Sequence, residues 1–323
     1  MKFLDLKYDA FGLDISDSSV KIAKLEKKRG KFLVASYGQT EMKPGVVVSG
    51  IIKNEKVLAE TIKSTLNSIK GKKLKTKYAF ISLPEEKSFL QVIQMPKMSP
   101  EELKSAVIFE AENYIPLPID QVYLDFQTIA PIEDGLDHID VLVVATPKQT
   151  VDSYVSCVKA AGLIPLSAEV ESQSIARALV KNEKSENPLV LIDIGKDTAD
   201  FIVFSGYSIR FTYSIPLSSD ENPDLDELAD QIEKYIDFYQ EHASHEHLAS
   251  DGKLKQILLC GTNLKKLPDF FTKKFDVQAS LGDPFINLPL VKDNEKKVDF
   301  LPFTTALGLA LGAINIEKEN LSK

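Results

Sequence analysis

The chain has 323 residues, 44% of them hydrophobic, and a formal net charge of -8. A chain of this length buries a large core and divides into two or more domains. The acidic balance argues against a general nucleic-acid binder, since phosphate contacts need clustered Lys and Arg.

The two cysteines, Cys157 and Cys260, lie in unrelated segments without CxxC spacing, so neither a disulfide framework nor a zinc site is indicated. No apolar run approaches the ~18 residues that a membrane-spanning helix needs. The first residues do not resemble a signal peptide. We therefore expect a cytoplasmic location.

The first predicted element is a β-hairpin over residues 11–22, in which an apolar strand reaches Asp14, a turn of small polar residues follows, and a second strand begins near Val20. Such a turn exposes N–H groups and hydroxyls that suit a phosphate. A carboxylate at the strand end suits Mg²⁺, which prefers few protein oxygens plus phosphates. The alternative is that Asp14 only caps a tight turn.

A third strand at 32–40 and an amphipathic helix at 55–70 complete a β-β-β-α unit. The lysine run at 70–77 is predicted to be a solvated helix end and loop. An α+β insert follows, with strands at 78–83, 89–94, 122–130 and 138–145 and a polar loop around Asp134. Its helix begins at the capping box Ser99 to Glu102.

A second capping box at 146–149 predicts another helix, which Gly162 closes. A short strand and a helix then reach Lys181, and the polar residues 181–188 are predicted to be a linker. The second half repeats the scheme, with strands at 189–195, 199–205 and 208–215 and a long helix from Leu225. The pattern ends with a strand at 256–260, a helix from about 264 and a terminal helix at 301–312. The last eleven residues are expected to be frayed.

The hairpin at 189–204 repeats the first one, with Asp193 as the counterpart of Asp14. Two such hairpins suggest two half-domains that grip one phosphate chain. We therefore interpret Asp14 and Asp193 as paired Mg²⁺ ligands.

The chain resembles the actin-like ATPases and, more closely, the PilM family of cytoplasmic proteins of type IV pilus assembly. The segments that carry the resemblance, of which the Glu-Ala-Glu-x-Tyr-Ile-Pro-x-Pro run is the most specific, are 11–21, 95–103, 109–118, 151–154, 191–199 and 306–310. The resemblance implies an α/β, duplicated actin-like (ribonuclease H-like) ATPase fold with an insert of the FtsA type. The expected parts are a first half at 1–77 and 149–184, the insert at 78–148, a second half at 185–312 and a tail at 313–323.

The resemblance also implies ATP or ADP with Mg²⁺ between the halves. The expected nucleotide-binding residues are Asp14, Ser16, Asp17, Ser18, Ser19, Lys21, Gly195, Lys196, Asp197, Thr198, Gly261, Thr262 and Asn263. The first loop departs from the family pattern, because Ser16 and Asp17 replace a Gly and a hydroxyl residue. Backbone approaches phosphate more easily at Gly, and Asp17 adds a negative charge, so we expect weaker binding and slow or absent hydrolysis.

Glu171 occupies the place where related ATPases carry a water-orienting Glu or Gln, although a Glu at a helix start is also favoured by the helix dipole. It is the catalytic candidate. A metal site at His242, His245 and His247 is disfavoured by the spacing. A Walker-type phosphate loop is excluded, since the chain has no GxxxxGK[ST] sequence.

The insert is expected to form a groove for the N-terminal cytoplasmic peptide of a PilN-like inner-membrane protein, with Tyr114, Ile115, Pro116 and Leu117 on its wall. The alternative is that these residues only end the helix and pack inside the insert. Through this partner the chain would lie at the inner face of the membrane. Pilus motor ATPases are further candidate partners, and self-association is also left open. The other functions left open are an ATPase with real turnover, a small-molecule kinase and an FtsA-like filament former.

Overall fold

The chain folds into two compact units, seen in a computed structural model that describes residues 9–131, 137–217, 225–242, 253–289 and 298–322. The first unit comprises Met1–Pro84, Asp152–Leu179 and Asp283–Lys323, and the second comprises Glu85–Val151 and Val180–Gly282. Within the described residues, no helix is long and apolar enough to cross a membrane.

Runs of one to five strands are separated by single helices along the chain. In order, the strands are β1 (Phe11–Ile15), β2 (Ser19–Lys28), β3 (Lys31–Glu41), β4 (Val47–Val48), β5 (Ile51–Ile52), β6 (Lys70–Gly71), β7 (Tyr78–Leu83), β8 (Phe89–Pro96), β9 (Val122–Ile129), β10 (His138–Pro147), β11 (Ile164–Val170), β12 (Ser185–Ile194), β13 (Thr198–Gly206), β14 (Ser208–Pro216), β15 (Gln256–Gly261) and β16 (Gln278–Leu281). The helices are α1 (Glu55–Asn67), α2 (Pro100–Ala111), α3 (Lys148–Ala160), α4 (Glu171–Leu179), α5 (Leu225–His242), α6 (Leu267–Phe275) and α7 (Thr304–Ser322).

The two units contain sheets of the same topology. The first sheet has the order β11-β7-β1-β2-β3-β6, and the second has the order β14-β13-β12-β15-β16. In each, three antiparallel strands form a meander, and two further strands pair in parallel on the other side of the first strand. The predicted duplication of a β-β-β unit is therefore confirmed as a duplicated sheet.

The C-terminal helix α7 belongs to the first unit, whereas the sequence analysis grouped its residues with the second half. Its buried face packs with β2 and β3 in a core that includes Leu25, Phe32 and Leu307. A Cβ at Gly308 would lie 1.9 Å from the Ser174 carbonyl oxygen, so glycine allows α7 to approach α4 closely. The helix continues to Ser322, ten residues beyond its predicted end at Gly312.

The insert is a three-stranded antiparallel sheet, β8-β10-β9, covered by α2. The strand at 78–83, predicted as part of the insert, is instead β7 of the first sheet, where it pairs with β1 and β11. Ser99 Oγ accepts a hydrogen bond from the Glu102 N–H while the Glu102 carboxylate accepts one from the Ser99 N–H, which confirms the predicted capping box. The core between helix and sheet contains Leu103, Val107 and Val141. This insert groups with the second sheet in the second unit.

Two local predictions are wrong. Thr146 does not cap α3, because β10 continues to Pro147 and the Thr146 hydroxyl lies 2.9 Å from that of Ser88. The predicted linker at 181–188 is partly strand, since β12 begins at Ser185, opposite Gly206. The register of β12 against β13 shifts between Ser185 and Leu189. Pro188 lies at this irregularity, where the missing N–H of proline costs little. The loop around Asp134 lies outside the described residues.

Candidate functional site

The first hairpin places Asp14 at the end of β1, where it is 3% exposed. Lys21 Nζ lies 3.4 Å from Asp14 Oδ2, and Ser82 Oγ donates to Asp14 Oδ1 at 3.2 Å. Ser82 in turn accepts a 2.9 Å hydrogen bond from the Ile15 N–H. The carboxylate is thus held by a cation and a hydroxyl from two neighbouring strands, which fixes its orientation.

The hairpin turn satisfies many of its own polar groups. The Ser16 N–H donates to the Ser19 carbonyl at 2.9 Å, and the Ser19 N–H donates to Ser16 Oγ at 3.2 Å. Asp17 accepts hydrogen bonds from the N–H groups of Ser49 at 2.5 Å and Gly50 at 3.0 Å. The Asp17 carboxylate therefore anchors the loop between β4 and β5.

Glu171 lies on the same sheet edge as Asp14. It is the first residue of α4, directly after β11, and the parallel strands β1, β7 and β11 end together, with Val170 level with Leu83. One strand separates β1 from β11, so their ends lie about 10 Å apart. This position is compatible with the predicted role of Glu171, which stays a prediction.

The second hairpin and the turn at 261–263, which contains three of the expected nucleotide-binding residues, come together in the second unit. The Gly195 N–H donates to the Thr198 carbonyl at 2.9 Å, and the Thr262 N–H donates to the Ile194 carbonyl at 2.8 Å. A Cβ at Gly261 would lie 2.2 Å from the Ile194 carbonyl oxygen and 2.5 Å from Asp193 Oδ1, and its φ is +97°. Gly261 is therefore required for β15 to end against Asp193.

The exposed part of this turn is formed by Gly195, Lys196 and Asp197, while Thr198 is half-buried. Asn263 adopts a left-handed backbone with φ of 56°, a conformation that Asn tolerates well. The polar tips of hairpin and turn thus lie at the carboxyl ends of the parallel strands β12 and β15, the edge where α/β sheets bind ligands.

Asp200 is a site residue that the sequence reasoning missed. It lies opposite Asp193 on β12 and opposite Ser214 on β14, and residues opposite one another share a sheet face. Ser214 Oγ donates to Asp200 Oδ1 at 2.6 Å. Burial, and next the negative charge of Glu85, raise the pKa of Asp200 well above its usual value. An Asp seven residues after Asp193 within an apolar strand was the available signal.

The predicted peptide-binding residues split between core and surface. Ile115 is buried in the core of the insert, Leu117 packs against that core, and Tyr114 is 52% exposed. Tyr114 and Ile115 line a cavity of about 60 Å³, whose remaining lining residues are Phe89, Leu90, Gln91, Ile93, Ala111 and Val143. The sequence analysis missed the contribution of β8 to this cavity, since a strand pattern does not show which strand faces a helix end.

Other reactive groups do not form a site in the part of the chain that the structure describes. Burial raises the pKa of the Cys157 thiol to about 11, so it is not a thiolate at neutral pH. Three or more His, Cys, Asp or Glu side chains do not converge anywhere in the described ranges in a metal-binding arrangement. The cluster of His242, His245 and His247 falls outside the residues whose side chains are described.

The repeated sheet order, with an Asp-containing hairpin in each unit and an α+β insert, defines an actin-like ATPase fold. Residues 12–214 match the model of the family described as type IV pilus assembly protein PilM. The chain belongs to this family.

Solved structures show the same fold. The chain is similar to a structure described as the PilM-PilN type IV pilus biogenesis complex, with a TM-score of 0.79, 21% identity, and coverage of 95% of this chain and 99% of that chain. It is also similar to the cytoplasmic domain of EpsL, an inner membrane component of the type II secretion system of Vibrio cholerae, with a TM-score of 0.51, 11% identity, and coverage of 94% of each chain.

Proposed function

We propose that the chain is a nucleotide-binding scaffold of type IV pilus assembly that binds the N-terminal cytoplasmic peptide of a PilN-like inner-membrane protein. Membership of the PilM family supports the pilus role, and the likeness to a PilM-PilN complex supports the partner. The observation that carries the proposal is the apolar cavity beside the exposed ring of Tyr114.

The cavity suits one aliphatic side chain of a bound peptide. Its volume of about 60 Å³ is several times the ~10–15 Å³ that one water needs, so a small aliphatic group has room there. The rings of Phe89 and Tyr114 in its lining supply the aromatic surface that is enriched at binding hot spots. Ala111, with its small side chain, leaves the cavity open.

The test is titration of the purified chain with the partner's N-terminal peptide. Tyr114→Ala is expected to cost more than about 1 kcal/mol, a loss of more than fivefold in affinity. Tyr123→Ala is the matched control, because Tyr123 is 49% exposed in the same insert and does not line the cavity. Equal affinities for Tyr114→Ala and the wild type, with both folded, would move the peptide site elsewhere.

We also propose that the two hairpins bind ATP or ADP. In the first unit, Asp14, Ser18 and Lys21 provide the polar groups, and in the second the exposed turn 195–197 and residues 261–263 do so. The donor chemistry fits Mg²⁺, since the chain offers carboxylates at Asp14 and Asp193 and magnesium keeps several waters and phosphate oxygens as ligands. Bound Mg²⁺ would neutralise charge on the phosphates.

Nucleotide binding is tested by thermal shift with ATP and Mg²⁺. A ligand that binds only the folded state stabilises it by about 2.7 kcal/mol at a hundred times its dissociation constant. Asp193→Asn should abolish the shift, and Asp269→Asn, an exposed Asp in the same unit, should retain it. A nucleotide-free wild type that shows no shift at millimolar ATP would remove this part of the proposal.

A further inference from the structure

The strongest unassigned feature is a basic surface on the acidic chain, made of two eight-residue segments, 24–31 and 70–77. They contain nine Lys, one Arg and one Glu. Their net charge is therefore +9, and the rest of the chain carries -17, since the whole carries -8. We call residues 24–31 and 70–77 the basic end of the first sheet.

Strand register brings these segments together. Ser36 on β3 lies opposite both Lys24 on β2 and Gly71 on β6, while β1 pairs with β2 only as far as Ala23. Beyond that level, residues 25–28 of β2 continue for about 14 Å of strand. The β2–β3 hairpin thus extends past the start of β1, with Lys28 opposite Lys31 at its tip.

The second segment crosses the base of this extension. It leaves β6 beside β3 and enters β7, which lies on the other side of β1, so residues 72–77 must pass β3, β2 and β1. The side chains of Lys72 and Glu26 form an ion pair across the junction, and the Lys72 N–H donates to the Ala35 carbonyl at 2.8 Å. The two segments therefore form one surface.

The basic end is accessible except at Lys24, which is buried and pairs with Asp9 at 2.6 Å. Lys28, Arg29 and Lys31 are exposed, as are Lys73 and Lys75. The sheet edge that carries Asp14 and its hairpin is the opposite one, because β1 starts at the basic end and runs away from it. The surface is thus separate from the proposed phosphate-binding residues.

We propose that this basic end binds the surface of an anionic phospholipid bilayer directly. The chemistry favours a bilayer over a nucleic acid, because the two segments contain no aromatic residue on which a base could stack. Lysine is a flexible point charge and suits a diffuse field of headgroups better than bidentate recognition. This direct contact with lipid goes beyond peptide binding and does not depend on it.

The length of the extension also fits a planar partner. Charges farther than a Debye length, about 8 Å at physiological salt, are largely screened. The tip at Lys28 and Lys31 lies about 14 Å of strand beyond the level where β1 starts. This exceeds the Debye length, so the charges at the tip are screened from the Asp14 carboxylate farther along the first sheet.

The test is co-sedimentation of the full chain with vesicles of phosphatidylglycerol and phosphatidylcholine in equal parts. Each Lys or Arg near an anionic surface contributes about fivefold in binding. The triple variant Lys28→Glu, Lys31→Glu and Lys73→Glu is therefore expected to lose at least a hundredfold in the partition constant. Binding of the wild type should fall at high salt and be absent with phosphatidylcholine alone.

The matched control reverses three exposed lysines of the same unit outside the basic end, Lys43→Glu, Lys53→Glu and Lys56→Glu. It has the same net charge as the test variant and should retain most of the binding. The inference is overturned by a wild type that does not bind these vesicles, by equal losses in the two triple variants, or by tighter binding of a single-stranded oligonucleotide. Peptide titration without vesicles is unaffected by all three results, so the two proposals fail separately.

Discussion

Arg210 Nη1 donates to Asp140 Oδ2 at 2.6 Å and joins β14 of the second sheet to β10 of the insert. The Asp140 side chain is buried and that of Arg210 is 11% exposed, and Arg210 Nε also donates to the Ser205 carbonyl at 3.2 Å. The strand β10 contributes Val143 to the peptide cavity, and β14 pairs with β13, which carries Asp200. This ion pair is thus a direct connection between the strands of the two candidate sites of the second unit.

Breaking this pair should destabilise the second unit strongly. Arg210→Met removes the cation nearest to the buried Asp140 carboxylate, and breaking a buried pair in this way costs about 3 to 5 kcal/mol. Lys274→Met is the control, because the Lys274–Asp230 pair at 2.7 Å is largely exposed and such pairs are worth at most about 1 kcal/mol. Denaturant unfolding measures both. Equal losses would show that the Arg210 pair is no stronger than a surface pair.

Local sequence signals predicted the elements well and the long-range arrangement less well. The periodicity and the capping box located α2 correctly, and alternation located β7 and β13 within a residue or two. The pattern of α7 predicted a helix but not its neighbours, since its approach to α4 depends on Gly308 meeting Ser174, 134 residues earlier in the chain. Asp200 was missed for a similar reason, because its environment is created by the pairing of β12, β13 and β14.

Gly261 should tolerate no side chain. In Gly261→Ala the methyl group would lie 2.2 Å from the Ile194 carbonyl oxygen, and φ of +97° adds backbone strain of about 1 to 3 kcal/mol. Gly162→Ala is the matched control, with a similar φ of +86° but open space around the methyl group. We expect Gly261→Ala to lose several kcal/mol more than the control in denaturant unfolding. Equal losses would mean that β15 shifts freely away from Asp193.

Asp200 should make stability fall as pH rises. Its pKa is raised in the folded state by burial and by Glu85, so the folded state favours the protonated carboxyl. This contribution is fully present below the unfolded pKa of about 3.9 and is lost as pH rises through the folded value. Asp200→Asn stays neutral, so it should match the wild type at low pH and exceed it above the folded pKa.

The measurement is the free energy of unfolding against pH for both proteins. Asp269→Asn provides an exposed carboxylate of the same unit as control and should leave the wild-type profile unchanged. If Asp200→Asn keeps the full pH dependence of the wild type, other groups are responsible for it. Glu85→Gln removes a negative charge that raises the Asp200 pKa in the folded state. The free energy of unfolding of this variant should therefore fall less with rising pH than that of the wild type.

Asp17 should stabilise the fold, and its charge should not weaken the binding of nucleotide phosphates. Its carboxylate accepts the N–H groups of Ser49 and Gly50, and hydrogen bonds to a charged acceptor are worth about 1.5 to 3 kcal/mol. Asp17→Ala is expected to lose an amount in this range in denaturant unfolding, and Asp17→Asn, which keeps one oxygen acceptor, should lose less. If Asp17→Asn instead binds ATP more tightly at unchanged stability, its charge acts on the nucleotide, as the sequence pattern alone suggested.

Glu171 should matter for turnover and not for nucleotide binding. It begins α4 on the sheet edge that carries Asp14, which suits a residue that orients an attacking water. The Ser16 hydroxyl is engaged within the turn, since it donates to the Ser19 carbonyl and accepts from the Ser19 N–H. Because this loop also lacks the Gly of the family pattern, we expect phosphate release barely above background. Any release above background should vanish in Glu171→Gln while the thermal shift with ATP and Mg²⁺ persists.

Glu169→Gln is an unsuitable control because Glu169 pairs with Arg177 at 2.6 Å, so the exposed Glu60→Gln in α1 serves instead. A rate of several turnovers per second in the wild type that is lost only in Glu171→Gln would make Glu171 a catalytic residue and the chain an ATPase, and a rate unchanged by Glu171→Gln would remove Glu171 from the mechanism.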